Sequence, residues 1–196
     1  YIRGERQKIL RAFMDADQAV RIKYDSKYAQ SANYWKNSIG MSRGIEKLNV
    51  REKKVAQEAA YTAWATKSTL PEERYIDALS LIEQSQTEAK RENATLQYLS
   101  EAFIQSVELI QTMLGVNDYE QFYKDYDAAA DRAVAKRMFQ IYRENNEILP
   151  SIYTKIDNEF GGDSDAYVDW LFDNSQLTRY EDYLAVANLS AEERKA

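Results

Sequence analysis

The chain opens with an apolar stripe at helical spacing. Ile9 and Leu10, Phe13, Ala16 or Asp17, Val20, Tyr24, Tyr28, Trp35 and Ile39 fall on one narrow face. The pattern predicts a long N-terminal helix from about Gly4 to Ser38. Gly40 and Gly44 then bracket a break or kink. Asn49 followed by Glu52 has the spacing of a capping box, with asparagine in the cap role. The helix after it carries Val55, Ala59 and Thr62 or Ala63, and ends near Thr66. Thr69, with Pro71 in the following turn, offers the next start, where the missing proline N–H costs nothing. Tyr75, Leu79, Ile82 and Ala89 extend one stripe from there. A polar stretch, Gln84 to Asn93, separates them from Leu96, Leu99, Phe103, Ile104, Val107, Ile110 and Leu114. The pattern leaves open whether that stretch is the exposed part of one helix or a bend between two.

The second half is punctuated more clearly. Gly115 reads as a left-handed helix end, and Asn117 with Glu120 as the next cap. Tyr119, Phe122, Tyr123 and Tyr126 lead into an alanine-rich run, Ala128 to Ala135, which suits close approach of two helices. Met138, Phe139, Ile141 and Tyr142 continue a core face. Pro150 starts or kinks a helix through Ile152, Tyr153 and Ile156, closed by Gly161 and Gly162. Asp163 or Ser164 caps a helix with Tyr167, Val168, Leu171 and Phe172, and Ser190 with Glu193 has capping-box spacing. No window alternates with a period of two, and none carries the β-branched runs of buried strands. The expectation is an all-α, multi-helix bundle with a long first helix and no sheet, one domain over residues 1–196.

Composition narrows the function classes. Only 2 Pro and 6 Gly in 196 residues leave few enforced helix stops. A net charge of −6 disfavours a nucleic-acid surface, and no apolar run is long enough for a membrane span. The chain has no histidine, which removes Ser-His-Asp and Cys-His catalysis from these residues, and no cysteine for a thiolate site. The 32 acidic residues scatter beside Lys and Arg as solvated faces do, and no cofactor is implied. Asp163 to Asp165 looks like the start of a calcium loop, but glycine is missing at its sixth position and glutamate at its twelfth. Trp35, Trp64 and Trp170 read as anchors between helices.

One face stands apart. Asn33, Asn37 and Gly40, with Lys36 beside them, turn away from the stripe. Asparagine and glycine inside a helix cost roughly 0.5–1 kcal/mol each against alanine. The face is either solvated and tolerated or used by a ligand or partner. Its segment, SKYAQSANYWKNSIGMSRGIEKLNVREKK, residues 26–54, resembles bacterial dipeptidyl peptidases of the dipeptidyl-peptidase 7 and 11 type. The resemblance runs from Tyr1 to the segment Asp165 to Phe172 and is weaker between. It implies the helical insert of a chymotrypsin-like serine exopeptidase, cut out of a longer chain whose catalytic barrels lie elsewhere. It further implies a periplasmic or cell-surface enzyme that releases dipeptides from free N-termini. In such an enzyme the insert covers the active site, and Asn33 or Asn37 helps to bind the peptide substrate's amino terminus. A stand-alone helical interaction module is the alternative that the same residues allow.

Overall fold

Asp17 divides the first stripe. In the computed structural model its backbone is extended (φ −140°, ψ 122°), and its side chain accepts a hydrogen bond from Ala19 N at 2.7 Å. An aspartate carboxylate competes in this way with the helical ladder and starts a new helix instead. The expected single helix from Gly4 to Ser38 is therefore two, α1 (Ile2–Ala16) and α2 (Gln18–Lys47). Both Gly40 and Gly44 lie inside α2, where a β-carbon at either would meet open space, so the expected break there is absent. The helix ends instead at Asn49, whose φ of +49° is a conformation that asparagine tolerates well. Asn49 does hold the position before α3, its carbonyl accepting Lys53 N at 3.1 Å, but it does so in a turn conformation and without the side-chain bond of a capping box among the described residues.

The structure describes residues 1–67, 74–190, 192 and 193, leaving aside the side chains of 74–76. The expected start at Thr69 to Glu72 and the Tyr75 side chain lie outside them. Among the described residues all regular structure is helical: α3 (Val50–Lys67), α4 (Arg74–Leu99), a π-helical turn (Ser100–Ile104), α5 (Glu108–Leu114), α6 (Tyr119–Lys124), α7 (Ala128–Asn145), α8 (Ser151–Glu159), α9 (Ser164–Asn174) and α10 (Tyr180–Ala187). The polar stretch 84–93 is the middle of one helix, α4. The π turn, with Gln105 N bonded to Ser100 O at 2.9 Å, inserts a residue into the ladder and rotates the face beyond it. Leu96 is exposed, whereas Tyr98 and Leu99 pack against the core and Phe103 is buried. Caps match closely in places. Asp163 caps α9, Ser190 and Glu193 bond reciprocally, and Asp118 takes the role expected of Asn117. Gly115, Gly161 and Gly162 end their helices with positive φ.

The chain forms two compact units, residues 1–32 with 95–196, and residues 33–94. In the first, α7 is the central helix. Ala130, Val134, Ala135, Met138, Phe139, Ile141 and Tyr142 are buried on it, facing α1 (Leu10, Met14) and α9 (Val168, Phe172). The alanines admit both neighbours closely, as the sequence suggested. Phe103 packs edge-on against Phe139 at 4.8 Å, and Tyr153 donates its hydroxyl to Phe139 O at 2.8 Å. The second unit is different. Among its described residues only Ala65 is buried (2% exposed), so its Val55 stripe faces outward.

Beneath α1 and α2 lies a buried polar cluster. Asp131 accepts the backbone amides of Glu108 (2.7 Å) and Leu109 (2.8 Å), and the Tyr126 hydroxyl at 3.3 Å. It thereby satisfies the first amides of α5. Burial, then the neighbouring Glu108 carboxylate, push the Asp131 carboxyl up to about 7, against the pull of those donors. The folded chain consequently holds the Asp131 proton more tightly than the unfolded chain does. Stability from this group is fully present below the unfolded carboxylate pKa, near 4, and is lost as pH rises toward 7. Asp131→Ala should cost about 1–3 kcal/mol for each of the two amides left bare. In urea unfolding series, wild type should lose ground to Asp131→Asn between about pH 4 and 7, with a flat difference outside that window. A pH-independent difference would contradict this.

Candidate functional site

Asn33 and Asn37 are one turn apart on α2, and Gly40 and Gly44 continue the same line at the seventh and eleventh positions. Both asparagines are exposed, and among the described residues neither side chain has a hydrogen-bond partner. Each therefore presents a free amide, with one acceptor oxygen and two donors. Lys36 lies beside them and is also exposed. The glycines leave the backbone open on this side, since nothing described lies within 4 Å of where a β-carbon would sit. The sequence-predicted pair is thus brought together on one accessible face.

The apolar stripe stops short of expectation. Val20 and Tyr24 are buried and Tyr28 packs against the core, but Trp35 is 38% exposed. Trp64 (52%) and Trp170 (42%) are exposed too, although Trp170 does join two helices, α9 to Phe160 at the end of α8, with ring centroids 5.8 Å apart. Trp64 sits against Tyr61, and Trp170 carries Lys155 over its ring at 4.6 Å.

What sequence reasoning missed is the grip on α2. Lys23 donates to Tyr126 O (2.9 Å), Tyr24 to Asp127 O (3.4 Å) and Lys27 to Asp125 O (2.7 Å), so three consecutive carbonyls each receive a donor from one helix. Lys27 also meets the buried Glu108 carboxylate at 2.8 Å. The other Glu108 oxygen stands 3.6 Å from Arg6 and has no hydrogen-bond partner. Burial, then the Glu108 and Asp131 charges, raise the Tyr24 hydroxyl well above its ordinary range, so it stays a neutral donor. The available signal was a lone acid set in an apolar run, Val107-Glu108-Leu109, which surface spacing rules had assigned to solvent.

The sequence profile described as Peptidase S46 matches residues 1–121. The chain belongs to that family. The resemblance noted in residues 26–54 is therefore confirmed at the level of the S46 family. Over its whole length the chain is similar to dipeptidyl-peptidase 7 of Porphyromonas gingivalis, at 37% identity, and spans 30% of that protein. It is 29% identical to the Asp/Glu-specific dipeptidyl-peptidase of the same organism, again along its full length and over 30% of the relative. The crystal structure of Porphyromonas endodontalis DPP11 superposes with a TM-score of 0.77 over 98% of this chain and 30% of that one. At 23% identity that likeness establishes the fold. This S46 chain thus spans about a third of the length of the relatives it matches. No helix among the described residues is long and apolar enough to cross a membrane.

Exposure separates the faces of α2 energetically. Asn33→Ala and Asn37→Ala should leave urea unfolding of the chain within about 0.5 kcal/mol of wild type. Trp35→Ala should do nearly the same, whereas Tyr24→Ala should cost about 3–5 kcal/mol as a core truncation. A large Trp35 penalty would place that ring in a core that the structure does not show.

Proposed function

We propose that residues 1–196 are a helical insert domain of a larger S46 serine dipeptidyl peptidase, lying over its active site. On this reading the asparagine face binds the free amino terminus of the peptide substrate. The observation that carries it is the end-to-end similarity to dipeptidyl peptidases of which the chain spans 30%. Catalytic residues then belong to barrels elsewhere in the parent, because the segment lacks the histidine that a serine nucleophile needs. The parent would act in the periplasm or at the cell surface, where peptides with free N-termini are available.

The chemistry of the face suits that role. A peptide ammonium withdrawn from water needs acceptors at hydrogen-bond distance, and an amide oxygen provides one without adding a second charge. Asn33 and Asn37 have such oxygens uncommitted among the described residues. Neighbouring Lys36 cannot accept, so selectivity for the ammonium rests with the two amides. A hydrogen bond to a charged group contributes about 1.5–3 kcal/mol.

Replacing the contacting asparagine by alanine in the full-length enzyme should lower kcat/KM for dipeptidyl substrates roughly tenfold to a hundredfold. The isolated segment should give no hydrolysis above buffer. Two asparagine variants with wild-type efficiency would leave the face a solvated one.

A further inference from the structure

The asparagine face has a cationic edge, and that edge belongs to the same stretch of the same helix. Lys36 follows Asn33 by three residues on α2, which makes the two side chains surface neighbours, their β-carbons about 5–6 Å apart. Arg43 and Lys47 stand seven and eleven residues after Lys36, spacings that continue one row along the helix. All three are exposed, and among the described residues none is in an ion pair or a hydrogen bond. Residues 33–54 gather Lys36, Arg43, Lys47, Arg51, Lys53 and Lys54 against Glu46 and Glu52, in a chain whose net charge is −6. A positive stretch set in an acidic chain draws acidic groups to itself.

A cation at this place works against an ammonium. Lys36 repels the charge that Asn33 or Asn37 receives, unless the substrate brings a carboxylate to the same spot. An aspartate or glutamate as the first residue of the peptide does so. Its ammonium and its carboxylate branch from one α-carbon, just as the Asn33 amide and the Lys36 ammonium branch from neighbouring positions of one helix turn. We infer that Lys36, with Arg43 and Lys47 extending its field, selects peptide substrates whose first residue is aspartate or glutamate. This rests on the proposed binding of the amino terminus at the asparagine face. The amides take the ammonium and Lys36 takes the side-chain carboxylate. Arg43 lies about 10 Å further along the helix axis, so it acts through its potential rather than by contact.

The test is steady-state kinetics of the full-length enzyme on chromogenic dipeptidyl substrates that share a second residue and differ in the first. Glu is compared with Gln, and Asp with Asn. The acid of each pair should have about fivefold the kcat/KM of its amide at low ionic strength, the upper end for an exposed ion pair. Added salt should shrink that ratio. Lys36→Gln should lower kcat/KM for the acidic substrate and raise it for the amide, whose ammonium is relieved of a like charge. A merely structural role would not move the two in opposite directions. Lys36→Glu should reverse the preference, and Arg43→Gln/Lys47→Gln should narrow it less than Lys36→Gln does. A wild-type enzyme without the acid preference, or a ratio untouched by Lys36→Gln, overturns the proposal. So does a Lys36→Gln variant that melts lower and loses activity on all substrates alike, which would make the row a packing contact with the rest of the parent. Impaired Asn33→Ala or Asn37→Ala variants beside any of these results leave the amine-binding reading standing. If both asparagine variants are silent, that reading is what fails, and the role of Lys36 fails with it.

Discussion

Three backbone carbonyls in a row, those of Asp125, Tyr126 and Asp127, take their donors from α2. They occur where α6 has ended and α7 begins, so part of their hydrogen-bonding capacity has no helical partner. A buried carbonyl left bare would cost as much as a lost hydrogen bond. The same few residues feed Asp131, which satisfies the start of α5, and Glu108, which holds Lys27 and lies near Arg6 of α1. Four helices thus meet at one polar knot, and each has a specified rotation because the knot is directional where the surrounding core is not.

Around the knot the packing is ordinary, and the alanines of α7 make it possible. Ala130 and Ala135 bring that helix within reach of α1 and α9. Ion pairs such as Arg132 with Asp173, Lys136 with Asp169 and Arg137 with Glu5 line the rims. Exposed or half-exposed pairs of this kind contribute roughly 0–1 kcal/mol each, so they select partners more than they stabilise.

The all-helical class was legible because helical periodicity runs almost without interruption and strand periodicity is absent. Boundaries were legible where a cap has one chemical meaning, as at Asp163 or the Gly161 and Gly162 pair. They were lost where a residue has two. Asp17 could continue a stripe or cap a helix, and its carboxylate chose the cap. Gly40 could end a helix or ride inside it, and an exposed backbone tolerated the second. Apolar spacing located the stripe but not its depth, since Trp35 keeps the period of Tyr24 without a core to enter. For the candidate site, the asparagine pair was visible from spacing and composition. The buried polar cluster of the first unit was not, because Lys27, Glu108 and Asp131 come together only in three dimensions.

The second unit carries a different implication. Its helices are held by their backbone ladders, with Ala65 the one buried side chain among its described residues. Such a region places few packing demands on its own residues, so most substitutions that respect helix propensity would pass through it unnoticed. A position there that resists replacement is then marked by what it meets outside these residues, and a saturation scan would read residues 33–94 as a contact map.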